Sequence, residues 1–106
     1  MRVLLDENVP VGLAGLLGDH DVESVTGLGW AGVKNGALLQ LAATRFDVLL
    51  TVDRRLEYPQ NFSGLTIAVT VVEAPSNDIA VLRPLMSAVR EALPNTRPGT
   101  VTHIHG

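Results

Sequence analysis

Two aspartates carry the most suggestive chemistry in this chain. The run Arg2-Val3-Leu4-Leu5 ends abruptly on Asp6, Glu7 and Asn8, and the run Asp47-Val48-Leu49-Leu50-Thr51-Val52 ends on Asp53. Short continuous apolar runs of this kind read as strands buried on both faces. If the two strands are parallel, both acids arrive at one rim, and ligands of open α/β sheets sit outside the carboxyl ends of the strands. A pair of carboxylates there would suit a hard divalent cation, which takes oxygen ligands. Taken singly, each aspartate reads as a helix or turn cap, an ordinary task for that residue. The matched pair favours a metal site over two unrelated caps.

Other chemistry-bearing residues carry weaker signals. His103 and His105 are two apart and would share one face of a strand, where they could bind a metal, but solvent-facing histidines on a terminal strand are the preferred reading. Arg54 and Arg55 follow Asp53 directly and could hold a phosphate beside a metal; adjacent arginines in a loop are more often simply solvated. Ser76 has no nearby histidine to activate it as a nucleophile. Gly27-Leu28-Gly29-Trp30-Ala31-Gly32 is a literal GxGxxG with Asp53 roughly where a ribose-binding acid would stand. The context fails: the preceding strand is polar, Trp30 blocks a close pyrophosphate approach, and the next helix starts too late. A second mononucleotide-binding half is also missing. A phosphorylation receiver shares the acid-ended strands but needs a lysine from its last strand. Lys34, the only lysine, lies far from any such strand, which argues decisively against a receiver.

The elements that must position these residues follow from composition and periodicity. A chain of 106 residues with 46% hydrophobic and 4% aromatic content predicts one domain, residues 1–106, with an aliphatic core. The absence of cysteine excludes disulfides and thiolate metal sites. A net charge of −3 argues against a general electrostatic grip on nucleic acid while leaving room for a local one. No apolar run approaches the roughly 20 residues of a membrane span, and no signal peptide is evident, so a cytoplasmic protein is expected.

Pro10 can open a helix, which Val11, Leu13, Ala14, Leu16 and Leu17 continue and Gly18 stops. Residues 20–25 suggest a short, partly exposed strand, and residues 36–43 a helix with a broad apolar face. Residues 54–64 predict a loop with at most one helical turn. Residues 65–72 form a β-branched strand, and 79–93 a helix of about four turns, with caps supplied by the preceding Pro75-Ser76-Asn77-Asp78. A last strand is expected over 100–104. Strands alternating with helices predict an α/β sheet, mostly parallel, flanked by helices on both faces. Trp30, in a glycine-rich loop, is expected either to tuck against the second helix or to be covered by another chain, a second copy in a homodimer or a different partner, with the covering chain slightly favoured.

Leu4-Leu5-Asp6-Glu7-Asn8, followed by Pro10 and an apolar helix, resembles the opening of the PIN-like proteins of the DUF5615 type. The resemblance continues through Gly32-Val33-Lys34-Asn35-Gly36-Ala37-Leu38-Leu39, then Val48-Leu49-Leu50-Thr51-Val52-Asp53, then Pro75-Ser76-Asn77. It implies a compact α/β fold with an acidic Mg²⁺- or Mn²⁺-binding pocket that cuts RNA. Many such proteins are toxins of bacterial toxin–antitoxin pairs, held inactive by a small antitoxin protein. Carried onto this chain, the resemblance implies Asp6 and Asp53 as metal ligands, with Glu7 and Asn35 as further catalytic candidates. Asn8 and Asn61 join Arg54 and Arg55 as substrate-binding candidates. One departure stands out. Relatives carry an acid near the start of the second helix, where this chain has Ala37. Metal-assisted hydrolysis needs carboxylates and a group to position water, so the alternative is a PIN-like domain that binds RNA or protein with impaired catalysis.

Overall fold

Three apolar runs form the interior of one sheet. The structure is a computed structural model that describes residues 1–54 and 65–105. Its strands are Arg2–Leu5 (β1), Asp21–Ser24 (β2), Val48–Thr51 (β3), Ala68–Glu73 (β4) and Val101–His105 (β5), in the spatial order β2-β1-β3-β4-β5. Every pairing is parallel. Val3, Leu4 and Leu5 of β1, all of β3 and nearly all of β4 are buried. The edge strands β2 and β5 instead mix half-buried and exposed residues. The difference is physical: an interior strand of a covered sheet meets protein on both faces, whereas an edge strand keeps one side toward water.

Helices cover both faces, as the alternation of elements predicts. On one face, Val3, Leu5, Val48, Leu50, Ala68 and Val72 pack against Leu13, Leu17, Leu82, Met86, Val89 and Leu93. On the other, Leu4, Leu49, Val69 and Val71 pack against Leu38, Leu39 and Ala42 of the helix Asn35–Ala43 (α1).

Two helical segments differ from expectation. Val11–Leu17 winds as a 3-10 helix rather than an α-helix. Gly12 and Gly15 weaken the α conformation, and Gly12 lets the segment approach closely, since a Cβ there would lie 2.9 Å from Cδ1 of Ile79. Residues 79–93 do not form one helix. They divide into Ile79–Leu82 (α2), a 3-10 turn Arg83–Leu85, Met86–Ala92 (α3) and a second 3-10 turn Leu93–Asn95. Pro84 sits inside the first turn, where its missing N–H and its ring interrupt the α-helical ladder. The expected cap is present: Asp78 accepts a 2.9 Å hydrogen bond from the backbone N–H of Ala80.

The crossover from β4 to β5 has the opposite hand to those from β1 to β2 and from β2 to β3. From β2 to β3 the chain moves across the sheet with α1 on one face, and from β4 to β5 it moves the same way with α2 and α3 on the other. Such reversals are rare. Here the reversal brings α3 beside the 3-10 helix, so that Met86 and Val89 share one core cluster with Leu13 and Leu17.

Candidate functional site

The strand order decides where the two aspartates lie. β1 and β3 are neighbours, and the chain leaves β1 toward one edge of the sheet and β3 toward the other. A crevice opens between two such strands at their carboxyl ends, the usual ligand position in open parallel sheets. Asp6 directly follows β1, and its backbone N–H continues the ladder by donating to the carbonyl of Leu50 at 2.9 Å. Asp53 stands two residues beyond the end of β3.

Thr51 connects them. Its hydroxyl donates to Oδ2 of Asp6 at 2.7 Å and accepts from the backbone N–H of Asp53 at 3.0 Å. The other oxygen of Asp6 accepts from the backbone N–H of Glu7 at 2.8 Å. Asp6 is 5% exposed, and burial raises its pKa above the ordinary aspartate value of 3.8. The hydrogen bonds from Thr51 and Glu7 oppose that rise, while the Glu7 and Asp53 carboxylates add to it. A carboxylate offers about four lone-pair sites, so each Asp6 oxygen keeps capacity for another partner.

The remaining predicted residues fall unevenly around this pair. Glu7 is exposed in the turn after β1, closed by the hydrogen bond from Val9 N–H to the Asp6 carbonyl at 2.9 Å. Asn8 is half-buried. Its backbone carbonyl accepts from Nδ2 of Asn77 at 3.1 Å, tying the β1 turn to the loop before α2. Its side-chain oxygen is buried without a hydrogen-bond partner among the described residues. Asn35 opens α1, which the parallel crossover starts at the carboxyl end of the sheet, and Ala37 is exposed in its first turn. Arg54 is ion-paired with Glu73, Nη2 to Oε1 at 2.7 Å. Arg55, Asn61 and the side chain of Asn35 lie outside the described residues.

Sequence reasoning overlooked Thr51 and Glu73. Glu73 ends β4 as the aspartates end their runs, so the signal was present in Val71-Val72-Glu73. It delivers a third carboxylate to the same rim, one strand beyond β3. Its Oε2 lies 3.2 Å from Nδ1 of His103 and 3.1 Å from Nδ1 of His105. Thr51 carried no such signal, because a threonine within a strand looks like any other β-branched residue.

Among the described residues no group of three or more histidine, aspartate or glutamate side chains is set around a point where a metal ion could sit. Asp6 and Asp53 are the carboxylates that the ends of β1 and β3 bring to this rim. That pair fits Mg²⁺ or Mn²⁺, which bind through one or two carboxylates and retain several waters. A cavity of about 350 Å³ lies beside the amino end of β1, lined by Arg2, Asp21, Val22, Glu23, Arg45 and Phe46. Arg45 stands 3.7 Å from Glu23 there.

The GxGxxG stretch is a run of turns that packs its tryptophan against the core. Trp30 is half-buried, 6.3 Å from Phe46 in an edge-to-face arrangement, with the Arg45 guanidinium 5.6 Å from its ring centroid. It packs within its own chain against the α1 side of the core, the first of the two arrangements expected for it. Among the described residues no helix is long and apolar enough to cross a membrane. No family model matches the chain, nor does any curated protein or solved structure.

Proposed function

We propose that this protein is a PIN-like, metal-dependent ribonuclease in which Asp6 and Asp53 hold Mg²⁺ or Mn²⁺, and that it acts as the toxin of a toxin–antitoxin pair restrained by a small antitoxin. The observation that carries this reading is the Thr51 hydroxyl joining the Asp6 carboxylate to the Asp53 backbone at the crevice between β1 and β3. When bound, the ion would polarise the phosphodiester and lower the pKa of an attacking water. The residues of the chain supply position. Thr51 and the Glu7 N–H fix the Asp6 carboxylate, burial keeps water from competing for it, and Glu7 offers an exposed carboxylate one residue on.

A second reading is a binding module for RNA or protein on the same fold, favoured by Ala37 where the PIN-like proteins that the chain resembles carry an acid. The two readings separate on cleavage of a fluorescent single-stranded RNA with Mn²⁺. Cleavage that disappears in Asp53→Asn supports the nuclease. Binding of the RNA without cleavage, by wild type and Ala37→Glu alike, supports the module.

A further inference from the structure

Two arginines outside the crevice stand beside an apolar hollow. Arg83 opens the 3-10 turn that leads into α3, and Arg90 lies seven residues on, about 10 Å further along the helical axis. Both are exposed, and neither has an ion pair among the described residues, whereas Arg45 and Arg54 each have one. With Ser87, exposed between them, they line a cavity of about 220 Å³ together with Leu16 of the 3-10 helix and Met86 of α3. Leu16 is 38% exposed, and Met86 is buried beneath it as floor. Arg90 also lines an adjoining cavity of about 490 Å³, with Gly18 and Asp19. A Cβ at Gly18 would lie 3.1 Å from Cδ of Arg90, so the bare backbone there lets the arginine stem lie across the end of the 3-10 helix. The two cavities continue one another along the seam between the 3-10 helix and α3. They lead toward the amino end of β1, where Met1 lines the second, and away from Asp6 and Asp53 at the carboxyl ends of β1 and β3.

We propose that this groove docks an acidic amphipathic helix of a partner protein. An apolar side chain of that helix enters the cavity against Leu16 and Met86, and carboxylates on the turns to either side pair with Arg83 and Arg90. Helices that lie in grooves present anchors at i, i+3, i+4 and i+7. The two turns between the arginines therefore match carboxylates at i and i+7, with the apolar anchor at i+3 or i+4. An apolar cavity of about 150 Å³ takes a benzene ring, so the larger hollow here has room for one branched aliphatic side chain. Charge fixes the sign of the partner: these arginines are cations without ion pairs on a chain of net charge −3. A nucleic acid fits less well, because no aromatic ring among the described residues lines the Arg83–Arg90 cavity to stack a base. Asp19, beyond Arg90, ends the cationic stretch. The crevice rim, with Asp6, Glu7 and Asp53, repels the same acidic helix. The inference deepens the toxin–antitoxin reading and rests on it in one respect, in taking the antitoxin as the protein that carries this segment.

The test is titration of the full chain with a synthetic helical peptide that carries glutamate at two positions seven apart and leucine between them. Fluorescence anisotropy gives the affinity, and amide chemical-shift mapping gives the site, with neither Mn²⁺ nor RNA present. The expected result is saturable binding that weakens with salt, with shifts concentrated in residues 13–19 and 83–90. Arg83→Glu combined with Arg90→Glu should weaken binding about tenfold or more, and a peptide with lysine in place of both glutamates should not bind. Arg83→Glu alone decides the matter if loss of the Gly18 contact makes Arg90→Glu unstable. Asp53→Asn should bind the peptide as wild type does, whether or not wild type cuts RNA, so failure of the nuclease and failure of the groove are separate results. No saturable binding of the acidic peptide, affinity unchanged by the arginine substitutions, shifts gathered elsewhere, or displacement of the peptide by single-stranded RNA would each overturn the inference. Shifts in the same residues that grow with protein concentration, without peptide, would assign the groove to a second copy of the chain instead.

Discussion

The hydroxyl of Thr51 donates a 2.7 Å hydrogen bond to Oδ2 of Asp6 across the adjacent strands β3 and β1. It is a buried donor serving a buried carboxylate, and removing it leaves Asp6 short of a partner. Thr51→Val keeps shape and volume but should cost about 1–3 kcal/mol at neutral pH. Thr51→Ser, which retains the hydroxyl, should cost less. Urea denaturation of the three proteins checks this, and equal losses for valine and serine would show that the methyl rather than the hydroxyl matters.

The raised pKa of Asp6 sets the sign of a pH effect. Burial, the largest cause, makes the folded protein prefer the protonated acid, so its folded pKa lies above 3.8. The stability this group contributes is fully present below the unfolded pKa and is lost as pH rises through the folded pKa. The melting temperature of Asp6→Asn minus that of wild type should therefore grow from about pH 4 to about pH 7 in EDTA. A gap that shrinks over the same range would reverse the assignment.

A divalent ion should act against that trend. If the proposed centre binds it through the ionised pair, Mn²⁺ should raise the wild-type melting temperature at neutral pH by preferential binding to the folded state. Asp6→Asn should not respond. A wild-type melting temperature indifferent to millimolar Mn²⁺ would count against the metal centre and leave the fold unchanged.

Ala37 offers a test of catalytic competence. It is exposed in the first turn of α1, where a carboxylate gains about 0.3–1 kcal/mol from the helix dipole. Ala37→Glu should therefore fold as well as wild type. Weak or undetectable Mn²⁺-dependent RNA cleavage is expected of wild type, with a clear increase in Ala37→Glu that vanishes when Asp53→Asn is added. Strong cleavage by wild type would show that the missing acid is dispensable.

Trp30 should behave as a packing residue. Its ring meets Phe46 and lies under the Arg45 guanidinium, so Trp30→Ala should cost about 2–4 kcal/mol, less than a fully buried ring would. Light scattering should give the same mass for both proteins. A wild-type dimer that becomes a monomer in Trp30→Ala would restore self-association through this loop.

Much of the architecture is legible in local pattern. Val3 to Leu5 and Val48 to Leu50 are apolar without alternation, which only a strand covered on both faces tolerates, and the acids that end those runs mark its wet rim. The half-polar β2, the helix α1 and the Asp78 cap are likewise written in short-range chemistry. Pro84 was legible too, as a residue that cannot donate to a helical ladder, although the apolar spacing around it suggests an unbroken helix.

Lateral order belongs to the tertiary structure. Periodicity states how deeply a segment is buried but not which strand lies beside it, because that depends on how distant faces pack and where connections cross. Asp6 meets Thr51 only because β1 and β3 are neighbours, and Glu73 meets His103 and His105 only because β4 and β5 pair in a register that sets Glu73 opposite His105. The reversed β4–β5 crossover likewise sets α3 beside the 3-10 helix in one core cluster, a pairing that no local stretch of residues contains.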